Sequence, residues 1–494
     1  MFALSDLGRI TGLQVCAQSL ADAGPATCFM ARRGVDKLVG CVGRPCLPDA
    51  KKAGEIEGKC VCVGPLSAAN AAAVRKALPW TAPSLLGLSP SFGFGDRLGL
   101  ATPGHIRAIR GEGEGFPLKP IFAQQSIREM TRTGRTPQQV MDDATWGVLQ
   151  EGWQGGFGSD ADHVQRPEDL EACVAAGFTM FTIDPGLHVV NQADTMAAPA
   201  LESAYAKLDF DTLSAKPADL CRLYAGRTVS LCDGGSLWMD DAAFLRAAVK
   251  YGGAIAHTIR MYRRLRELAG RPFELEVSVD ETDSPTSPAE HYLFASELRR
   301  AGVQWVSMAP RFIGRFEKGV DYIGDLAAFR ASLAEHVAVS RTVGPYKLSL
   351  HSGSDKFSIY PVFAEETGGL LHVKTAGTSY LEALRAVATI DPKLFREVLD
   401  FARLRYQEDR RTYHVSADLA KVPASAGLGD GELAGLLEQF DAREVLHVTF
   451  GSVLTAEGGR RFRDRVYAAL ESNESIYIAA LREHFGKHLR ALGR

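Results

Sequence analysis

The chain lacks any long apolar run and any strong excess of charge. No apolar segment among its 494 residues approaches the roughly 18 residues that a membrane-spanning helix needs. The net charge is −3, which gives no electrostatic reason to expect nucleic acid or an anionic membrane as a partner. The first ten residues carry an early acid and no charged segment followed by an apolar core, so no secretory signal is readable there. We therefore expect a cytoplasmic protein.

Signatures of nucleotide cofactors and of serine hydrolases are also missing. No Walker A sequence is present, and no nucleophile-elbow motif appears. The glycine-rich stretch from Gly93 to Gly99 has the wrong spacing for a dinucleotide fingerprint and precedes a predicted strand instead of following one. We therefore expect neither NAD nor ATP as a cofactor.

The cysteines give little support for a structural zinc site. There are 9 of them, an odd number. Cys41, Cys46, Cys60 and Cys62 could be grouped as four thiolates, but their spacing does not match the usual pair of C-x₂-C knuckles. Reduced thiols that act as small apolar side chains in short strands are the favoured interpretation in a cytoplasmic protein.

Short apolar runs alternate with amphipathic segments through the middle of the chain, which is the pattern of repeated βα units. Eight strand candidates lie at residues 98–101, 121–124, 155–157, 179–183, 275–279, 303–308, 347–350 and 370–373. This pattern predicts an α/β fold, a (β/α)₈ TIM-like barrel. We expect a small N-terminal subdomain over residues 1–90, the catalytic barrel over 91–380 with an insertion around 185–272, and a helix-rich extension over 381–494.

Helix caps between the strands support this reading. Ser287, Pro288 and Glu290 form a predicted capping box with proline at the first helical position, and Gly302 ends the helix. The helix predicted to begin at Thr136 has the same arrangement of cap residues.

Polar residues gather where predicted strands end, which is typical of an enzyme site at the carboxyl edge of a parallel sheet. Asp160, Asp162 and His163 follow the third strand, and His351 and His372 lie at or near the ends of the last two. Imidazoles from separate strands can bind one divalent cation and leave positions open for substrate oxygens. The residues thus predict a metal site, with hydrogen-bonded core histidines as the alternative.

Other polar residues qualify as acid/base groups or substrate ligands. In the cluster after the fifth strand we favour a working role for Glu281 and a turn-forming role for Asp283. Lys374 lies two residues after His372, so its side chain is expected on the same face of the strand. There it could bind a carboxylate or form a Schiff base. The predicted substrate ligands are completed by Gln125 and Ser126 after the second strand and by Arg311 after the sixth.

Four long strings resemble the tagaturonate/fructuronate epimerase family. They are Phe92-Gly-Phe-Gly-Asp-Arg-Leu-Gly-Leu-Ala-Thr-Pro-Gly-His105, Ala123-Gln-Gln-Ser-Ile-Arg-Glu-Met130, Gly158-Ser-Asp-Ala-Asp-His163 and His351-Ser-Gly-Ser-Asp-Lys356. The resemblance spans nearly the whole chain. It implies a divalent-metal-dependent enzyme that interconverts two keto-hexuronates on a barrel scaffold, in hexuronate catabolism.

That implied reaction guides the assignment of roles. The two sugars differ at a carbon whose C–H bond the ketone does not acidify, so retro-aldol cleavage and re-addition is the favoured route. We expect His163, His351 and His372 to hold the cation (Zn, Ni, Co, Mn or Fe) and Asp162 and Glu281 to transfer protons. A metal-dependent sugar-acid aldolase and a non-catalytic sugar-acid binding protein stay open as alternatives, as does homo-oligomer formation.

Overall fold

The computed structural model describes residues 2–44, 47–112 and 117–493. Eight parallel strands close into a barrel, so the fold class predicted from the sequence is confirmed. The strands are β1 (Ser91–Phe94), β2 (Lys119–Ser126), β3 (Gly158–Val164), β4 (Met180–Ile183), β5 (Glu274–Val279), β6 (Ser307–Pro310), β7 (Lys347–Leu350) and β8 (Leu371–Thr375). Strand β8 pairs with β1 and closes the ring.

Three strands lie elsewhere than the sequence predicted. The first strand was expected at residues 98–101 but lies earlier, at β1, and residues 98–101 instead lead into a helix. The four residues of β1 read Ser-Phe-Gly-Phe, so the glycine concealed the alternation of apolar and polar side chains that is typical of a strand. The third strand begins after residues 155–157, and the sixth starts at Ser307 instead of residue 303. The polar residues assigned to a loop after the third strand therefore belong to β3 itself.

Helices surround the barrel in the βα order. Those between or directly after barrel strands are Thr102–Gly111, Ile127–Thr133, Pro137–Glu151, Pro167–Ala176, Ala198–Tyr205, Phe210–Leu213, Pro217–Tyr224, Asp241–Ala269, Pro288–Arg300, Leu326–Val343, Tyr360–Thr367 and Thr378–Ile390. The predicted capping boxes at Ser287 and Thr136 are both formed. The connection from β4 to β5 also carries a hairpin of Arg227–Ser230 and Ser236–Met239.

The residues before the barrel form an antiparallel sheet. Its strands are Gln14–Val15, Ala21–Asp22, Ala26–Arg33, Asp36–Gly43, Lys51–Ile56 and Lys59–Pro65, and the helices Leu4–Thr11 and Ala68–Ala77 flank them in sequence. Cys41, Cys60 and Cys62 lie in this sheet. Cys46, the fourth member of the disfavoured zinc grouping, lies outside the described residues.

Helices after the barrel pack on its outer surface. They are Pro392–Asp409, Phe440–Val448, Phe450–Thr455, Arg463–Ser472 and Glu474–Leu492. Short 3₁₀ segments lie at Ala17–Ser19, Pro79–Thr81, Gly186–His188, Asn191–Asp194, Arg410–Thr412, Leu419–Lys421, Ser425–Gly427, Asp430–Glu438 and Ala456–Gly459. In the described part of the chain, no helix is both long enough and apolar enough to cross a membrane.

The final helix is joined to the barrel by an aromatic cluster. Phe485 is fully buried, and its ring centroid lies 5.1 Å from that of Phe94 on β1 and 4.8 Å from that of His105. Phe92 approaches the same ring edge-on at 6.2 Å. The last helix is therefore part of the main hydrophobic core.

We expect Phe485→Ala to lower the free energy of unfolding by about 3–5 kcal/mol, because it removes a fully buried ring and leaves a cavity. Urea unfolding followed by circular dichroism measures this change. Ile476→Ala on the same helix is the control, since that side chain is 37% exposed and should change stability little. Equal shifts in the two variants would contradict this packing.

Candidate functional site

A single ammonium group contacts a cluster of buried acids inside the barrel. Lys374 Nζ on β8 lies 2.6 Å from Asp160 Oδ2, 2.7 Å from Asp162 Oδ1 and 2.7 Å from Glu276 Oε1. It also donates to the hydroxyl of Thr182 on β4 at 2.6 Å. These residues come from β3, β4, β5 and β8, so one lysine joins four strands of the ring. Its pKa is held well above the usual value because the three carboxylates outweigh the opposing effect of burial.

A bulge in β3 directs two consecutive side chains to the same place. Neighbouring residues of a regular strand point to opposite faces, which would separate Asp162 from His163. Pairing with β4 shifts here: Phe181 is opposite Ala161, but Ile183 is opposite Val164. The extra residue is accommodated at His163, whose φ is 49°, an uncommon left-handed conformation for this residue type. As a result His163 Nε2 lies 3.8 Å from Asp162 Oδ1.

His163 and His351 face each other through one ring nitrogen each. His163 Nδ1 lies 3.2 Å from Asp184 Oδ2, and His351 Nε2 lies 2.5 Å from Glu276 Oε1. A carboxylate only accepts hydrogen bonds, so these contacts place a ring proton on His163 Nδ1 and on His351 Nε2. The other two nitrogens, His163 Nε2 and His351 Nδ1, are 3.2 Å apart. Two facing lone pairs repel each other unless a proton or a cation lies between them.

This arrangement fits a divalent metal. Two imidazole nitrogens bound tetrahedrally to one cation at about 2.0–2.1 Å lie about 3.4 Å apart, close to the observed separation. Asp280 Oδ1 lies 3.3 Å from His351 Nδ1 and adds a carboxylate beside that imidazole. Asp162, His163 and His351 offer ligand atoms that all lie within 4.8 Å of one another. Each imidazole also has a carboxylate behind it, the usual outer partner of a metal-bound histidine.

The charges at this site shift the pKa values of its acids and imidazoles. Burial acts to raise the pKa of Asp162, but Lys374 and the two histidines outweigh it and hold that pKa well below the usual range. Burial likewise opposes the charged form of His163, yet Asp162 and Asp184 raise the pKa of that imidazole to about 10. The nitrogens that face each other therefore attract positive charge strongly.

A cavity of about 300 Å³ opens beside His351. Its lining includes Asp280, Glu281, Arg311, Lys318, His351 and Tyr413. The Glu281 side chain is 35% exposed and accepts a hydrogen bond from Arg128 at 3.1 Å. The cavity therefore offers a carboxylate at its surface, several cations and an edge of the candidate metal site.

The structure brings together only part of the site predicted from the sequence. His163, His351 and Asp162 form one group, and Glu281 and Arg311 line the adjoining cavity. His372 belongs to a different group, with Asp160 and Glu276. Its Nδ1 lies 3.0 Å from the hydroxyl of Ser91, and burial lowers its pKa to about 3, so the ring is neutral.

Three of the predicted substrate ligands are occupied by contacts within the protein. Gln125 accepts a hydrogen bond from Arg135 at 2.7 Å, and Ser126 caps the helix Ile127–Thr133. The ammonium of Lys374 is surrounded by four acceptors and has no proton left for a substrate. These contacts explain the polar residues in structural terms.

Sequence reasoning missed Asp184, Glu276 and Lys318 as members of the site, and it included Asp280 only in the carboxylate cluster after the fifth strand. Glu276 carried a readable signal, since it alternates with Glu274 in a strand whose residues are all buried. Asp184 follows β4 directly, so the strand-end rule applied to the other strands also selects it. Lys318 carried no such signal, because only the fold brings its loop to the cavity.

Comparison with known proteins identifies the family and agrees with the fold. The family model described as "UxaE: tagaturonate epimerase" matches residues 16–492. A protein of Thermotoga maritima named tagaturonate/fructuronate epimerase is 47% identical over 423 residues, which are 86% of this chain and 85% of that protein. The native crystal structure of the fructuronate-tagaturonate epimerase UxaE from Cohnella laeviribosi superposes with a TM-score of 0.91 at 38% identity and 99% coverage of both chains. A glycerol complex of that protein gives a TM-score of 0.90 at 37% identity, again over 99% of each chain. The chain belongs to the UxaE tagaturonate epimerase family.

Proposed function

We propose that this chain interconverts D-tagaturonate and D-fructuronate with a divalent cation bound at the mouth of the barrel. Family membership supports the reaction, since relatives that align with most of the chain are named for it. The paired imidazoles of His163 and His351 beside the cavity are the observation that carries the metal-assisted form of the proposal.

The substrates set a chemical problem that the site must solve. They have opposite configurations at carbon 4, two bonds from the ketone at carbon 2, so removal of the carbon-4 hydrogen is not assisted by the carbonyl. Retro-aldol cleavage avoids this step. The bond between carbons 3 and 4 breaks and its electron pair stays with carbon 3, while the carbon-4 hydroxyl loses its proton and carbon 4 becomes an aldehyde. Rotation of the aldehyde and re-addition with return of the proton give the epimer.

His163 and His351 would hold the cation, with Asp162 beside the first imidazole and Asp280 beside the second as further candidate ligands. When bound, the cation acts as a Lewis acid that polarises the substrate's ketone and adjacent hydroxyl and stabilises the negative charge that develops there. Asp184 and Glu276 orient the two imidazoles from behind. His372, the third histidine expected from the sequence, faces Asp160 and Glu276 and is included in the ligand test below.

We assign proton transfer to two carboxylates, Asp162 and Glu281. Asp162 is kept ionised by Lys374, and we assign it the role of accepting the proton of a hydroxyl that the cation would acidify. Glu281 lines the cavity after β5 and can serve the other face of the rotating aldehyde. Arg311, on the same cavity wall, supplies a donor for substrate oxygens.

Incubation of the metal-loaded protein with D-tagaturonate should give D-fructuronate, seen by proton NMR as a new set of ring-proton signals. A chelator should abolish the conversion, and added divalent cation should restore it. Accumulation of three-carbon fragments would indicate an aldolase instead. Binding without any product would indicate a sugar-acid binding protein.

Metal content should identify the ligands. We expect His163→Ala and His351→Ala to lose bound metal in equilibrium dialysis, because each removes a nitrogen from the facing pair. His188→Ala is the control, since that exposed histidine lies in the β4–β5 connection and stacks on His257. Full metal content in His351→Ala would exclude the site. Loss of metal in His372→Ala would add that residue to the ligand set.

Removal of either proton-transfer group should slow turnover without emptying the site. For Asp162→Asn and Glu281→Gln we expect a fall in kcat of about 10²- to 10⁴-fold, the usual contribution of general acid–base catalysis. Asp283→Asn is the matched control, because that exposed carboxylate lies in the same loop as Glu281. Normal turnover in either variant would remove that residue from the mechanism, and loss of metal would make it a ligand.

A further inference from the structure

The cavity contains a cation without a carboxylate partner. Lys318 Nζ donates to Ser352 Oγ at 2.8 Å, and no carboxylate in the described part of the chain lies within ion-pair distance of it. Arg315 lines the same cavity but pairs with Glu317 at 3.4 Å, and its side chain is 60% exposed. An ammonium held by one hydroxyl keeps two protons for an anion that enters the cavity.

The backbone on both sides of Lys318 is fixed from behind by buried cations. Lys356, fully buried, donates to the carbonyl oxygens of Glu317 at 2.8 Å and of Val320. Arg443 Nε donates to the carbonyl oxygen of Gly319 at 2.7 Å. The carbonyl groups of Glu317, Gly319 and Val320 are thus held in place. These contacts keep the backbone of Lys318 at the cavity wall.

These clamps are tied to the last helix through Asp355. Arg443 Nη2 lies 2.8 Å from Asp355 Oδ2, and His484 Nε2 lies 2.5 Å from Asp355 Oδ1. His488 Nε2 accepts the backbone N–H of Asp355 at 3.0 Å. His488 Nε2 already accepts a hydrogen bond, and the guanidinium of Arg443 contacts Asp355. The group of Asp355, His484 and His488 therefore supports the loop and is not a second cation site.

Lys318 also lies close to the candidate metal. Its partner Ser352 directly follows His351 in the chain, so their Cα atoms are about 3.8 Å apart. Burial acts to raise the pKa of Asp280, but His351, His163 and, more weakly, Lys318 lower it below its usual value. A substrate chelated near His351 would therefore extend toward Lys318 within a few carbon–carbon bonds.

We propose that Lys318 binds the carboxylate of the sugar acid and selects acids over uncharged sugars. The inference rests on the proposed function, which supplies a substrate with a carboxylate two bonds beyond carbon 4. That carboxylate belongs to the aldehyde fragment that must rotate between cleavage and re-addition. A lysine ammonium on a flexible stem is a point charge that can follow such a rotation, whereas the planar fork of Arg311 favours one bidentate orientation.

The test compares a six-carbon aldonate with the matching hexitol, in which an alcohol replaces the carboxylate. Calorimetric titration of the metal-loaded protein should show tighter binding of the aldonate. Lys318→Met should weaken aldonate binding about 10- to 100-fold, the usual effect of losing a hydrogen bond to a charged group. It should leave hexitol binding unchanged and raise KM for the keto-hexuronate far more than it lowers kcat.

Arg315→Met, which removes an exposed cation from the same wall, is the matched control and should leave both affinities unchanged. If Lys318→Met does not fold, as judged by circular dichroism, Lys318→Gln carries the test. Equal binding of acid and alcohol by the unaltered protein would overturn the proposal. So would a loss of selectivity in Arg311→Met but not in the Lys318 variants. Because these are binding measurements, they separate this proposal from the proposed function, which fails only if no epimer forms.

Discussion

The site depends on the contact between Lys374 and three buried carboxylates. Three anions inside a barrel would repel one another and lose their hydration, and each would cost several kcal/mol without a partner. One ammonium at 2.6–2.7 Å from Asp160, Asp162 and Glu276 offsets much of this cost. Burial and the remaining acidic neighbours still raise the pKa of Asp160 to about 6, although Lys374 opposes this. The cluster is thus close to balanced when a further positive charge lies near His163 and His351.

That balance determines the geometry around it. Glu276 contacts Lys374 with the same oxygen that accepts the ring proton of His351, so the lysine indirectly orients a metal-binding nitrogen. Asp162 is likewise held by the lysine while it lies beside His163. The strained backbone at His163 persists because the barrel pairing on both sides of the bulge determines it. The charged groups inside the barrel therefore interact directly with the histidines at its mouth.

The periphery of the barrel supports the cavity by a separate set of contacts. The last helix packs through Phe485 on β1 and holds Asp355 through its histidines. Asp355 in turn binds Arg443, which fixes the loop that carries Lys318. Residues far apart in sequence therefore stabilise the wall against which a substrate would bind.

Sequence alone determined the class of the fold and the chemistry of the strand ends. Alternating apolar runs and capped helices predict βα units because side-chain period and cap residues are local properties. The strings around His163 and His351 also sufficed to indicate the family. Only the tertiary structure decided how these groups meet. A bulge at His163 overrides the strand period, and His372 turns to Ser91 instead of joining the other two histidines. Lys374 is enclosed by acids from other strands, and Lys318 reaches the cavity through contacts with distant helices. Such placements depend on register and long-range packing, which no local pattern encodes.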